Sequence, residues 1–234
     1  MTIHVFDDAA TLAREIAARL AARVNEIVAE GRTPRIVLTG GSIAIKAYRQ
    51  IEADAADWAA AEYWWGDERF VPEGHEDRND RQAREAFLDR VGVPAHRLHP
   101  MPAHGCDVSM AEAADEYARE LPDEPFDVVL LGVGPDAHIA SLFPGHPQVG
   151  EQDRVVVEVY DSPKPPPQRI SLTFPALNHT RATWFIVSGA DKAEAVAKAH
   201  RGVPVEEAPA TGARGMDETV WLLDADAARD LPTT

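Results

Sequence analysis

The sequence is poor in cysteine, in long apolar runs and in positive charge, and each shortage excludes a class of protein. Cys106 is the only cysteine, so no disulfide can form within the chain, which suits a reducing compartment. No apolar stretch approaches the ~20 residues that a membrane-spanning helix needs. The first residues include acidic side chains rather than the apolar core of a signal peptide. We therefore expect a cytoplasmic protein with no membrane partner.

Lys and Arg number 23 against 39 Asp and Glu, which gives a net charge of -16 at pH 7. Because this balance repels phosphate backbones, we expect no nucleic-acid partner. An anionic ligand would need a local basic pocket. The chain has 234 residues, of which 45% are hydrophobic, enough for a sizeable core. We interpret the proline-rich segment 162–168 as a stiff loop and expect one domain across residues 1–234.

Apolar runs that alternate with helical periodicity predict the fold. The first amphipathic helix is expected over residues 11–29. Continuous apolar runs are typical of strands buried on both faces of a parallel sheet. Strands are expected at residues 36–38, 126–133, 154–160, 182–189 and 219–224, and a short one within residues 61–70 is broken at Gly66. The sequence thus predicts an α/β fold with a doubly wound, mostly parallel, Rossmann-like sheet flanked by helices.

Three segments rich in glycine or charge follow predicted strands, where ligands bind in open α/β sheets. In the first, TGGS, Gly40 and Gly41 let backbone N–H groups face a phosphate or carboxylate, and Ser42 is expected to cap the next helix. A tight turn with a serine cap would explain the same residues. The segment lacks the lysine of a P-loop and the third glycine of a dinucleotide fingerprint.

The second segment, GDER, places Asp67, Glu68 and Arg69 directly after a predicted buried strand. Arg69 could bind a carboxylate, a phosphate or a developing oxyanion. Asp67 could orient a base or hold a sugar hydroxyl. A surface turn with a local ion pair is the alternative interpretation.

The third segment, GVGPDAH, carries an acid and an imidazole. Asp136 is expected to cap a short helix over residues 139–143, with His138 in its first turn. The helix dipole would keep the imidazole neutral there, and a neutral imidazole is a ready general base. A structural or solvent-facing histidine is the alternative.

Three basic residues lie near the later strand ends: Lys164 in the proline loop, Arg169 at the start of the following strand, and Lys192 in the first turn of a predicted helix. A cation is electrostatically unfavourable in a first helical turn, and a bound anionic ligand would offset that cost. Each residue alone suits a solvated charge, and together they would form a phosphate pocket.

A competing hypothesis is a metal site. His96, His99, His104 and Cys106 occur within one short segment. Their spacing matches no standard zinc pattern and the prolines there favour an extended loop, so we expect no metal. Nothing near Cys106 indicates a lowered thiol pKa that would make it a nucleophile.

These residues together resemble the 6-phosphogluconolactonase family. The matching stretches occur in family order and cover nearly the whole chain: LTGGS, WGDERFVP followed by DRND, GVGPDAHIASLFPGHP, SPKPPPQRISLTFPALN and VSGADKAEAV. The resemblance implies hydrolysis of 6-phospho-D-glucono-1,5-lactone to 6-phosphogluconate in the oxidative pentose phosphate pathway, with no metal or organic cofactor and a sugar-phosphate lactone as the partner. It implies that His138 is the base and aligns Asp67 and Arg69 with the family's Gly-Asp-Glu-Arg motif. It also indicates Gly41, Ser42, Arg169 and Lys192 as ligand contacts.

The chain departs from the family pattern at a few positions. Ala137 stands where the family usually has glycine, Ile139 where threonine is common, and GGSIA where GGSTP is common. Because alanine would be strained at positive φ, we expect a turn at Ala137 that avoids it. The loss of threonine removes one hydroxyl that could form a hydrogen bond.

The expected mechanism is attack of water on the lactone carbonyl, with His138 taking the proton and then returning it to the ring oxygen. Arg69 or backbone N–H groups would stabilise the oxyanion, and Asp67 would orient His138. Two alternatives remain: a sugar-phosphate isomerase like glucosamine-6-phosphate deaminase, which WGDERFVP disfavours, and a non-catalytic sugar-phosphate sensor. We expect a monomer.

Overall fold

The computed structural model describes residues 1–105 and 108–232. Its strands form two sheets, and the described residues contain β1 (Thr2–Phe6), β2 (Arg35–Leu38), β3 (Glu62–Trp65), β4 (Asp67–Arg69), β5 (Phe126–Leu131), β6 (Val156–Val159), β7 (Arg169–Leu172), β8 (Thr180–Val187) and β9 (Glu218–Asp224). The larger sheet has six strands in the order β1-β9-β8-β5-β2-β3. All its hydrogen-bonded neighbours run parallel. The smaller sheet, β4-β7-β6, is antiparallel.

The helices connect the strands. They are α1 (Ala9–Ala29), α2 (Ser42–Arg49), α3 (Asn79–Ala83), α4 (Met110–Glu120), α5 (Phe174–Leu177), α6 (Ala193–Arg201) and α7 (Ala225–Ala228). A π-helical turn, Arg84–Leu88, continues α3. Short 3-10 turns occur at Trp58–Ala60, Ala95–Arg97, Pro147–Gly150, Ala190–Lys192 and Pro209–Thr211. No helix in the described part of the chain is both long and apolar enough to cross a membrane.

Both faces of the larger sheet are covered, because successive strand residues point to opposite sides. Val128 and Leu130 of β5 lie in one apolar cluster with α1 and α2, whereas Val129 and Leu131 lie in the other with α4 and α6. Every residue of β5 is buried. This arrangement explains the continuous apolar runs and confirms the predicted doubly wound, mostly parallel sheet.

The structure differs from the prediction at three strands. The edge strand β1 was not predicted, and it pairs with β9 in parallel. RVVVEVY was expected to belong to the parallel sheet and GDER to follow one of its strands, but both contribute strands, β6 and β4, to the smaller antiparallel sheet. The chain leaves the larger sheet after β3, at Gly66, and pairs β4 with β7 instead.

The strand order reverses between β2 and β5. From β2 the chain proceeds outward to β3, and from β5 it proceeds in the other direction to β8 and β9. Loops leaving neighbouring strands on opposite sides of such a switch point separate and open a crevice at the carboxyl edge. The Gly40–Gly41 and Gly132–Gly134 segments therefore face each other there.

Candidate active site

An open cleft with a volume of about 260 Å³ lies at this switch point. All the residues predicted to form the site line it, and they come from both sheets: Gly40, Gly41, Ser42, Asp67, Arg69, His138, Arg169 and Lys192. Lys164 also lines the cleft, as do Asn79 and Ser188, which were not expected there. The predicted convergence of three strand ends on one edge is therefore observed.

The His138 imidazole is held by its near neighbour Asp136. The Nδ1 atom lies 2.5 Å from Asp136 Oδ1, and the ring packs at 4.6 Å from the Phe143 ring. The His138 side chain is only 13% exposed. A carboxylate at Nδ1 favours the tautomer with its proton on that nitrogen. The remaining nitrogen, Nε2, is thus available to accept a proton.

The expected helix over residues 139–143 is not present, and that prediction was wrong. The segment forms a tight turn closed by a bridge between Ile139 and Leu142. Asp136 consequently caps no helix; it accepts the His138 backbone N–H weakly, at 3.4 Å, besides contacting the ring. No helix dipole therefore acts on His138, and the Asp136 carboxylate is the group that interacts with the imidazole instead.

The contact with His138 changes the acidity of Asp136. Partial burial raises the pKa of Asp136, but the hydrogen bond and charge of His138 outweigh burial and lower the pKa to about 2, below its ordinary 3.8. A carboxyl group whose pKa is lower in the folded state stabilises that state when ionised. Asp136 therefore remains a carboxylate throughout the neutral and mildly acidic range.

This shift predicts a stability change in acid. The contribution of Asp136 is complete above about pH 4 and is lost as the pH falls toward about 2. We expect Asp136→Asn to show a smaller fall in the free energy of unfolding between about pH 5 and pH 3 than the parent chain. Urea unfolding at the two pH values measures it, with Asp226→Asn on the exposed start of α7 as the control. Equal falls in parent and Asp136→Asn would contradict the prediction.

Gly134 provides the space for the imidazole. A Cβ atom on Gly134 would lie 2.0 Å from His138 Nδ1 and 2.5 Å from Asp136 Oδ1. The backbone turn is closed by the Gly134 N–H, which donates to the His138 carbonyl at 2.9 Å. The imidazole therefore lies directly against the glycine backbone, and no side chain fits between them.

Ala137 adopts a φ of 67°, so the expectation that its turn avoids positive φ was wrong. A left-handed backbone costs an L-residue about 1–2 kcal/mol. Hydrogen bonds hold the turn: the Ala137 N–H donates to the Gly134 carbonyl, and the Ala210 N–H donates to the Ala137 carbonyl at 3.0 Å. The Ala137 methyl group is fully buried. Ile139 is also fully buried in the apolar core, which suits isoleucine at a position where threonine is common.

Asp67 is bound to the rest of the site rather than to His138. Its Oδ2 accepts the Ser141 hydroxyl at 2.6 Å and lies 3.8 Å from Arg169 Nη1. Its hydrogen-bond and ion-pair partners among the described residues do not include His138. The prediction that Asp67 orients the imidazole is corrected: Asp136 occupies that position, and Asp67 instead joins the small sheet to the turn after His138.

A buried polar network lies beneath Arg69. Glu68 accepts the backbone N–H groups of Arg69, Asn79 and Asp80 at 2.8, 2.8 and 2.9 Å. Burial raises the pKa of Glu68 to about 7, while the charge of Arg78 and the backbone donors oppose this shift. Arg78 is fully buried and donates to Asp80 and to a backbone carbonyl. The network holds the chain on both sides of Arg69.

The glycine turn before α2 differs from its prediction in one detail. Gly41, at a φ of 98°, is the residue preceding the helix, and Ser42 is the first helical residue, with no side-chain capping bond. The prediction that Ser42 caps α2 was wrong. The first N–H groups of α2 have no side-chain cap, so they are available to a ligand in the cleft.

Four cations face the cleft: Arg69, Lys164, Arg169 and Lys192. Arg69 and Arg169 are directly opposite each other in the β4–β7 ladder, a like-charge arrangement that is unfavourable without a counterion. Burial and then the charge of Lys192 lower the pKa of Lys164. Lys192 directly precedes α6, and its Nζ contacts Asp191 at 3.0 Å. This cluster is the basic pocket expected for an anion.

The histidines of the alternative metal hypothesis lie elsewhere. His99 stacks on Trp64 at 4.3 Å, and His104 packs edge-on against Phe70. Cys106 lies outside the described residues. Within residues 1–105 and 108–232, no group of three or more His, Cys, Asp or Glu side chains is arranged to hold a metal ion.

Comparison with known proteins places this geometry in a family. The family model described as "Glucosamine-6-phosphate isomerases/6-phosphogluconolactonase" matches residues 7–221. A protein named 6-phosphogluconolactonase from Streptomyces coelicolor is 46% identical over 246 residues, covering 97% of this chain and 94% of that protein. One of the same name from Mycobacterium tuberculosis is 45% identical and covers 99% of both chains.

The fold is similar to solved structures as well. The crystal structure of 6-phosphogluconolactonase from Thermotoga maritima superimposes with a TM-score of 0.84 at 25% identity, covering 95% of this chain and 99% of that chain. The larger parallel sheet, the cleft at its switch point and the sequence relationship agree with one another. The chain belongs to the glucosamine-6-phosphate isomerase/6-phosphogluconolactonase family.

Proposed function

We propose that this protein is an enzyme that hydrolyses 6-phospho-D-glucono-1,5-lactone to 6-phosphogluconate. The observation that carries the proposal is the pairing, in one cleft, of a carboxylate-held imidazole with four cations on a chain of net charge -16. The cations suit a phosphate group, and the imidazole suits activation of water. The names of the related proteins support the same reaction.

In the proposed reaction, His138 Nε2 accepts a proton from water as its oxygen attacks the lactone carbonyl. Asp136, ionised at neutral pH, stabilises the resulting imidazolium through Nδ1. The imidazolium then gives its proton to the ring oxygen as the carbon–oxygen bond breaks. One water is consumed, and the ring opens to a carboxylic acid with a free hydroxyl.

The carbonyl oxygen gains negative charge during attack, and the cleft offers donors for it. Arg69 lines the same cleft as the Gly132–Gly134 segment and the start of α2, where the N–H groups have no side-chain cap. Fixed donors of this kind stabilise a developing oxyanion. Lys164, Arg169 and Lys192 bind the phosphate and position the ring, which lowers the entropic part of the barrier.

The test is an assay with freshly generated lactone, coupled to oxidation of the product and corrected for spontaneous hydrolysis. We expect a rate well above the uncatalysed one. Release of ammonia from glucosamine 6-phosphate would instead support the isomerase alternative. Binding of 6-phosphogluconate without turnover of lactone would support a sensor. Either result would overturn the proposal.

We expect Lys192→Ala to raise the KM for the lactone by about 10- to 100-fold, with a smaller change in kcat. The physical reason is the loss of a charged donor to phosphate, which contributes about 1.5–3 kcal/mol. Steady-state kinetics measure the effect. Lys198→Ala is the control, because Lys198 lies on α6, the helix that Lys192 precedes, and pairs with Glu194 on the surface. A KM equal to that of the parent would exclude Lys192 from phosphate binding.

A single chain supplies every residue in this mechanism, so we also propose that the protein acts as a monomer. Its single cysteine suits a reducing compartment, and we propose the cytoplasm as its location.

A further inference from the structure

Asn79 is a buried residue that lines the cleft. Its side chain is 2% exposed and lines the cleft beside Asp67 and Arg69. We propose that Asn79 is a positioning residue that fixes the Arg69 guanidinium against the Gly40 turn. The inference rests on the proposed lactonase function and assigns a role to a residue of that same site.

The hydrogen bonds of Asn79 determine the orientation of its amide. Nδ2 donates to the Asp67 backbone carbonyl at 2.9 Å, which leaves Oδ1 to accept from Arg69 Nη1 at 2.8 Å. A reversed amide would place an oxygen against the Asp67 carbonyl and an N–H group against the guanidinium, so both bonds would be lost. The same Nη1 also donates to the Asp77 carbonyl at 2.6 Å. Arg69 is therefore held from two sides.

The Gly40 backbone lies directly against this amide. A Cβ atom on Gly40 would be 2.0 Å from Asn79 Oδ1 and 2.6 Å from its Cγ, and its three nearest neighbours are all atoms of the Asn79 side chain. Absence of a side chain at Gly40 thus lets Asn79 contact the glycine turn of the larger sheet while it binds Arg69 of the smaller sheet. The amide joins the two sheets at the cleft.

The neutrality of the amide also matters. Asp67 and Glu68 are buried close by, and a third carboxylate at position 79 would pair with Arg69 and offset its charge. A neutral acceptor orients the guanidinium and leaves its positive charge for the ligand. Arg69 Nε is buried without a hydrogen-bond partner among the described residues, so the side chain keeps a donor.

The test uses Asn79→Ala, Asn79→Asp, Gly40→Ala and the double variant Gly40→Ala/Asn79→Ala. Lactonase kinetics and calorimetric binding of 6-phosphogluconate are measured for each, with thermal unfolding to establish folding. We expect Asn79→Ala to lower kcat/KM by about 10- to 100-fold, because misplacement of a binding group by about 1 Å has effects of that size. Asn79→Asp should weaken product binding, because its charge offsets that of Arg69.

The double variant separates positioning from a general structural role. We expect Gly40→Ala to lower kcat/KM by more than about 10-fold in the parent and by less than about 3-fold in the Asn79→Ala background, where the clashing atoms are gone. Equal effects of Gly40→Ala in both backgrounds would overturn the inference. So would parent-like kinetics for Asn79→Ala, or parent-like product binding for Asn79→Asp.

Gln82→Ala is the matched control, since Gln82 lies on the same helix and its amide donates to the exposed Glu76 carbonyl rather than to the residues of the cleft. Its kinetics should stay within about twofold of the parent. If Asn79→Ala does not fold, Gly40→Ala in the parent still displaces the amide and tests the same contact. A parent chain that does not hydrolyse the lactone would refute the proposed function. A parent that is active while the Asn79 variants are unaffected would refute this inference alone.

Discussion

His138→Gln is expected to lower kcat by about 10²- to 10⁴-fold, which is the usual effect of removing a general base. Glutamine retains much of the size and polarity of histidine but cannot take a proton from water near neutral pH. In the proposed mechanism Nε2 takes this proton, because Asp136 engages Nδ1 at 2.5 Å. Initial rates at saturating lactone, corrected for spontaneous hydrolysis, measure the loss.

His146→Gln is the matched control for this substitution. The His146 ring also packs on Phe143, at 5.6 Å, but it does not line the cleft. We expect its kcat to stay within about threefold of the parent. A kcat for His138→Gln close to the parent value would remove His138 from the role of base.

Gly134→Ala should have an effect almost as large without altering any side chain that contacts the substrate. The added methyl group would occupy the position of the imidazole, 2.0 Å from Nδ1 and 2.1 Å from Cε1. Distances below 3.0 Å do not occur between real atoms of this kind, so the ring must rotate away from its position and from Asp136. We expect kcat to fall by about 100-fold, the cost of misplacing a catalytic group.

Gly66→Ala tests whether the effect is specific to the position of the ring. A Cβ atom on Gly66 would meet its nearest neighbour, Val37 Cγ1, at an ordinary 3.7 Å. We expect this variant to retain parent-like kinetics. Activity of Gly134→Ala equal to the parent would show that the imidazole does not act from the position described above.

The strands that could be predicted from sequence are those buried on both faces. β5 is wholly buried, and its continuous apolar run predicts a strand there. β1 gives no such signal, because Ile3 and Val5 are 40% and 52% exposed at the edge of the sheet. β4 spans only Asp67–Arg69, which is too few residues to show an alternating pattern of apolar and polar side chains. Its pairing with β7 depends on residues about 100 positions away, so the second sheet could not be inferred.

The sequence predicted residues that line the cleft but not the contacts between them. His138, Arg69 and Lys192 all line the cleft, since motifs at strand ends identify residues one at a time. The spacing of Ile139, Leu142 and Phe143 suits a helix, but the chain closes as a tight turn there. Asp136 therefore reaches the imidazole across a single residue.

Asn79 shows most clearly which contacts a sequence cannot predict. Its contact with the backbone at Gly40 joins segments far apart in sequence, and no local pattern at either residue predicts that they meet. The DRND stretch was recognised as a part of the family resemblance, but neither its burial nor its bonds to Asp67 and Arg69 could be read from residue types alone.

The cations that face the cleft, on an otherwise acidic chain, affect both the binding and the release of a charged ligand. Their attraction is short-ranged, because salt screens charges beyond ~8 Å at physiological ionic strength. A phosphate ester that comes within that distance of the rest of the surface meets the repulsion of a chain with a net charge of -16. Hydrolysis then creates a second anionic group, a carboxylate, on the same molecule. Near the rest of the surface the product is therefore repelled more strongly than the lactone, so this charge distribution disfavours the return of the opened acid once it has left the cleft.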